Sequence, residues 1–223
     1  MRHFVGCLLV LLACSTGFAQ QQYVSRYHVF TGFSYFPTPN LNLYQRGFNV
    51  TAGVNVRRWL ALGGDFSVFT GGSSLMPGQL SPSEQARLAP LLVLLPPGYV
   101  VNIPYSVNTY TYAAGPQFNY RRLKRVSFFI RPALGLIHQS VRAQPRDVIE
   151  TSIVAAVLPN GASDTVVFYG AGGGFEINAS QHFGLRVAAD FVHMGLFEGF
   201  LRDPQNSVRL SVGPTFRFGR NIQ

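Results

Sequence analysis

Three groups of residues in this 223-residue chain have the types and spacing to do chemistry. The first is His138-Gln139-Ser140. On an extended strand His138 and Ser140 share a face, so the imidazole could take the hydroxyl proton, and Glu150 could orient the ring if the following loop folds back. The second is Gly170-Ala171-Gly172-Gly173-Gly174-Phe175, a superficial match to a phosphate loop. It opens no helix, so nucleotide binding is not expected, and its small residues read as room for inward arginines and aromatics. The third group is Asp65, Arg131, Glu176, Arg186, Asp190, Arg209 and Arg217, each on the polar face of an alternating segment. Enclosed together they must pair, because an unpaired buried charge is costly. His28, His182 and His193 lie on different segments without metal-ligand spacing, so neither a metal nor a cofactor is expected.

The elements that must position these groups are strands. The closing segment SVRLSVGPTFRFG alternates Val208, Leu210, Val212, Pro214, Phe216 and Phe218 with Arg209, Ser211, Gly213, Thr215 and Arg217. Segments of similar pattern fall at 26–36, 47–57, 60–70, 107–120, 126–138, 165–178 and 183–197, which makes eight with 207–219. The connections after the second, fourth and sixth are short, and the others are longer. That pattern predicts an all-β fold, an eight-stranded antiparallel up-and-down transmembrane β-barrel with short periplasmic turns and longer extracellular loops. Tyr27, Trp59, Tyr120, Phe183 and Phe218 then gather near the short-turn end as an interfacial aromatic girdle. Pro116, Pro132 and Pro214 fall inside strands, where local bulges are the expected remedy. In the loop 71–106, Ser81-Pro82-Ser83-Glu84 has a capping-box arrangement, so a short helix is expected over 84–95. The run Leu91-Leu92-Val93-Leu94-Leu95 is too apolar for free solution and is expected to pack over the barrel mouth or touch the outer leaflet.

Composition agrees with a surface partly in hydrocarbon. Charged residues are only 12% of the chain, well below the roughly 25% of ordinary soluble proteins. The apolar run from Phe4 to Ala13, behind Arg2 and ahead of Gly17 and Ala19, reads as a signal peptide over 1–19, leaving the barrel at 20–223. Both cysteines, Cys7 and Cys14, lie in that leader; Leu11-Leu12-Ala13-Cys14 also resembles a lipoprotein signal, in which Cys14 would be acylated. The formal charge of +9 is spread over strands and turns, which argues against a nucleic-acid site. Its one dense run, Arg121 to Arg125, reads as a solvated turn near anionic headgroups.

The segments FTGFSYF, VNVRRWLALGGDF, YTYAAGPQFNYR and VRLSVGPTFRFG resemble the strands of small single-domain bacterial outer-membrane β-barrel proteins, related in fold to the transmembrane domain of outer membrane protein A. The resemblance covers nearly all of the chain after the leader and specifies architecture, not chemistry. It implies an outer-membrane location in a Gram-negative-type bacterium. The partners it implies are outer-membrane lipids, lipopolysaccharide and the barrel-assembly machinery, around a monomer that binds no nucleic acid. The family usually ends on an aromatic residue, whereas here Gly219 to Gln223 follow Phe218. No peptidoglycan-binding domain follows the barrel, so a tethering role is not implied. His138 and Ser140 also resemble the histidine and serine of outer-membrane lipid A deacylases, without a confidently matched acid. Three readings of function follow: a non-enzymatic barrel with a salt-bridged interior acting in envelope integrity or surface interaction, a narrow porin-like channel for small or hydrophobic solutes, and a lipid A deacylase-like hydrolase.

Overall fold

The computed structural model describes residues 23–157, 161–202 and 205–222. The leader at 1–19, with Cys14, lies outside them. Eight antiparallel strands close on themselves in chain order: β1 Ser25–Thr38, β2 Leu43–Asn55, β3 Leu60–Leu75, β4 Ile103–Tyr120, β5 Val126–Ala143, β6 Ala162–Asn178, β7 Phe183–Met194 and β8 Gln205–Asn221. Closure follows from the two-residue alternation of the sequence. One face of each strand sends apolar side chains outward, and curling the sheet buries the other face while leaving no open edge.

The outer face is apolar over most of its height. Phe48, Ile130 and Leu134 are 68%, 64% and 62% exposed, values that only a non-aqueous surrounding makes tolerable in such numbers. On β4 the ten steps from Tyr110 to Tyr120, at about 3.3 Å each and a tilt of about 40°, give a band of about 25 Å, the height of the lipid-facing belt of an outer-membrane barrel. At the turn end Tyr27 stacks on Phe218 and Trp59 on Phe118, with ring centroids 5.6 and 6.1 Å apart, and Phe183 meets Phe216 edge-on at 5.6 Å. Tyr120 lies beside Arg122 in the same belt. A second belt, which the sequence reading did not single out, rims the loop end: Tyr35 on Tyr44, Tyr110 beside His138, and Tyr169 beside His193. Above it the register lines up Arg46, Thr70, Asn108, Ser140 and Ser163 in one polar outward row.

Three expectations are corrected. The strands outrun their expected ends, so the first connection is not a long loop: Pro37 pairs with Tyr44 and Thr38 with Leu43, leaving a single 3-10 turn at Pro39–Leu41 closed by Asn42 in the left-handed region. The prolines are not absorbed by bulges. In the β4–β5 ladder the pairs Ala114–Leu134 and Phe118–Ile130 share one register, and counting two residues inward from each puts Pro116 opposite Pro132. The pairing lapses there without a shift: both residues lack an N–H, so the two ladder bonds this pair would exchange are lost at one place and the flanking pairs keep their register. Around Pro214 the β1–β8 pairing likewise lapses between Phe30–Thr215 and Phe33–Val212 with its register kept. The basic run is not wholly solvated either: Arg121 turns into the lumen, while Arg122, Lys124 and Arg125 stay exposed.

The loop end carries a helical cap. The chain between β3 and β4 forms α1 (Pro82–Val93), with Pro82 at its first position as expected and its end two residues before Leu95. Ser81 caps it, its Oγ accepting from Glu84 N at 3.4 Å, but the Glu84 carboxylate turns to Arg87 and Ser81 N donates to Phe200 O, so the box is not reciprocal. A second helix, α2 (Val148–Val157), was not foreseen. Its signal was present in Asp147-Val148-Ile149-Glu150, an N-cap carboxylate three residues before a glutamate, and Asp147 Oδ1 does accept from Glu150 N at 2.7 Å.

The barrel's closing seam is a close backbone contact. A Cβ on Gly213 would lie 2.1 Å from Thr31 O and 2.5 Å from Gly32 Cα. Gly213→Val is expected to push β1 and β8 apart at the lapse beside Pro214 and to destabilise the barrel by about 3 kcal/mol or more; the fraction migrating as folded barrel on an unheated gel should fall sharply.

Candidate functional site

The lumen is organised in layers. At its centre Asp65 on β3 and Asp190 on β7 stand on opposite walls, four strands apart in a ring of eight. Arg131 from β5 and Arg209 from β8 each reach both. Arg209 donates through Nη1 to Asp65 Oδ1 at 2.7 Å and through Nη2 to Asp190 Oδ2 at 2.8 Å. Arg131 donates through Nη2 to Asp190 at 3.1 and 3.2 Å, and through Nη1 to Asp65 at 3.4 Å. Asn49, Thr51 and Ser67 complete the shell of Asp65 at 2.6, 3.0 and 3.2 Å. All four charged groups are buried and the quartet is neutral. Small residues make room for it, as the register shows: Gly172 lies opposite both Arg131 and Asp190, so the glycine run of β6 flanks ion pairs.

A separate layer lies toward the turns. Glu176 accepts from Arg186 Nε and Nη2 at 3.0 and 2.8 Å, and from Arg217 through Nε at 2.8 Å and through Nη2. Phe30 and Phe129 close over the Arg186 guanidinium, their centroids 5.4 and 4.8 Å from Cζ. The seven inward charges therefore come together as two clusters rather than one network, and Arg121, His28 and Asn49 join them without having been singled out for that role.

The catalytic candidates are not assembled. His138 and Ser140 share a face, but it is the outer one, and Nδ1 of His138 is 2.7 Å from Thr165 Oγ1. Glu150 is buried in the cap, where its carboxylate takes Arg146 N at 2.7 Å and Arg146 Nη2 at 2.5 Å.

Toward the loop end the lumen turns apolar, with Phe36, Phe69, Ile137, Phe168, Val192, Met194 and Leu196 packed together. Above them Thr109 bridges Gln45 and Gln139 at 2.7 and 2.9 Å. The cap then encloses an apolar cavity of about 80 Å³ between the barrel mouth and the helices, with Leu43 and Val107 on the barrel side and Leu80, Leu88 and Ile153 on the cap side. Leu91, Leu92 and Leu95 of the apolar run pack against this cap core, as expected for a mouth cover, whereas Val93 and Leu94 are 83% and 80% exposed. The cap is tied across its loops: Tyr99 donates to Asp147 at 2.6 Å, Arg146 to Asn102 O at 2.8 Å, and Ser81 to Gly199 O at 2.6 Å. Phe197 lines the cavity floor in the left-handed region, its N–H held by Asp164 Oδ2 at 2.6 Å.

No protein-family model matches the sequence, and no curated protein sequence matches it. Solved structures do match in shape. The crystal structure of Neisserial surface protein A superposes with a TM-score of 0.53 at 13% identity, covering 87% of this chain and 98% of that one. Outer membrane protein OprG from Pseudomonas aeruginosa superposes at 0.55 with 8% identity, covering 90% and 99%. The fold is that of a small outer-membrane β-barrel. In a barrel of this size the interior is just wide enough for side chains to fill, which is how the two charge layers and the apolar layer occupy it.

Removing one member of the quartet leaves an uncompensated charge. Asp65→Asn is expected to lose about 3–5 kcal/mol of unfolding free energy, and Asp65→Asn with Arg209→Gln less than the sum of the two single losses; urea titrations followed by the fluorescence of Trp59, the one tryptophan, measure both. The cap should respond to acid. The hydrogen bonds from Arg146 hold the Glu150 carboxyl below its usual range, so its contribution is complete above the ordinary glutamate value of about 4.3 and is lost as pH falls through the lower folded value. The hydrogen bond from Tyr99 lowers Asp147 in the same sense. The protection of amides in 148–157, relative to their unfolded exchange rates, should therefore fall below about pH 4, while the strands stay protected.

Proposed function

We propose that this protein is a non-enzymatic barrel of the outer membrane whose lumen is closed by ion pairs. The barrel acts as a rigid support for the cap at its loop end, and its role lies in envelope integrity or surface interaction. One observation carries this reading: Arg131 and Arg209 each span from Asp65 to Asp190 across the full width of the lumen. A path for ions would have to break four buried salt bridges at once, and a second charged layer lies below them. Planar-bilayer recordings of the purified barrel are expected to show no steady single-channel current; unitary currents that Asp65→Asn alters would remove the closed-lumen reading in favour of a channel.

The apolar cavity supports a second reading, in which the cap holds a small apolar molecule. Its walls are almost entirely apolar, and apolar cavities stay dry and admit apolar guests. At about 80 Å³ it suits a few carbon atoms, not a bulky solute. Crystals pressurised with xenon are expected to show the gas between Leu88 and Val107, and Val107→Phe should abolish it. An empty cavity under xenon would end this second reading and leave the first untouched.

A further inference from the structure

The turn-end layer of the lumen is not charge-balanced, unlike the central quartet. A cavity of about 10 Å³ there is lined by Ser25, His28, Arg121, Glu176, Arg186 and Arg217, together with neutral residues. Three guanidinium groups thus face one carboxylate. Glu176 is shared between Arg186 and Arg217, and its bonds to Arg186 use Nε and Nη2, leaving Nη1 outside the pair. Among the described residues Arg121 donates to neutral acceptors, Arg58 O at 2.6 Å and Asn55 Oδ1 at 3.0 Å. Burial, the largest influence, pushes the Arg121 guanidinium down to about 10; Glu176 opposes that fall, and Arg217 and Arg186 deepen it.

The same cavity holds buried polar atoms without partners. His28 and Ser25 are 4% and 1% exposed, and among the described residues neither His28 Nδ1 nor Ser25 Oγ has a hydrogen-bond partner. A neutral imidazole can carry its proton on Nδ1 and a hydroxyl rotates freely, so both are available as donors. The cavity therefore offers donors, two surplus positive charges and the volume of about one water-sized body. A water molecule would satisfy the donors and leave the charge. A cation is repelled, and a phosphate is too large.

We infer that this cavity is a binding site for one small monovalent anion of halide size, chloride in the native setting, held by Arg121 and Arg186 with His28 and Ser25 as neutral donors. The ion reduces the surplus charge of the layer and so stabilises the turn end of the barrel.

Crystals of the unmodified barrel grown in sodium bromide provide the test that needs no variant. An anomalous peak is expected among Arg121, Arg186 and His28, within about 3.5 Å of at least one donor. In solution the melting temperature should rise by about 3–5 °C when gluconate is replaced by chloride at constant ionic strength and at tenfold excess over the dissociation constant. Arg121→Gln should remove both the peak and the chloride-dependent rise, while Lys124→Gln, an exposed charge of the same turn, should leave both in place. A cavity holding water and no bromide, equal melting in the two salts, or a peak that survives in Arg121→Gln would each overturn the assignment.

Discussion

Arg209 and Arg131 reach across the lumen to the same two carboxylates, and the rest of the interior is arranged around that requirement. Taking four ions out of water is unfavourable unless each finds several partners of good geometry. Asp65 and Asp190 sit on opposite walls, so the arginines must span the barrel, and the walls beside them must be small. Gly172 opposite both Asp190 and Arg131, and Gly63, Ala113 and Ala133 around the same level, leave that space. The glycine run of β6 is thus a packing consequence of the quartet.

The layers above and below differ because the chain ends of the barrel differ. Toward the turns a second set of charges is covered by Phe30 and Phe129, whose ring faces suit the guanidinium of Arg186. Toward the loops the interior becomes aliphatic, and the apolar side chains that finish the strands would meet water if nothing covered them. The helical cap supplies the cover. Its two helices have little in common in sequence, but Tyr99, Asp147, Arg146 and Asn102 tie their loops into one lid.

Much of the barrel was legible in the chain because its information is local. Alternation with period two sorts each residue to the inner or outer face without reference to any other strand, so the strand count, the antiparallel order and the inward placement of the seven charges all follow from short windows. The strand ends at Thr38 and Leu43 were not legible, because polar and proline residues there stay paired only through the neighbouring strand. The helix α2 was marked by Asp147 and Glu150, a capping signal separate from the two-residue alternation that marks the strands.

What the sequence by itself determined is which side of the wall each residue faces and where the membrane-facing band runs. Only the tertiary structure decided which residues meet across the lumen, since that depends on the register of every ladder around the ring, and a change of register in one ladder alone would separate Asp65 from Arg209. It decided that the seven charges divide into two clusters, that Pro116 faces Pro132, and that Arg121 turns inward to leave the turn-end layer with more positive than negative charge. Those are long-range pairings, fixed by closure of the barrel and by the penalty for leaving a buried charge alone.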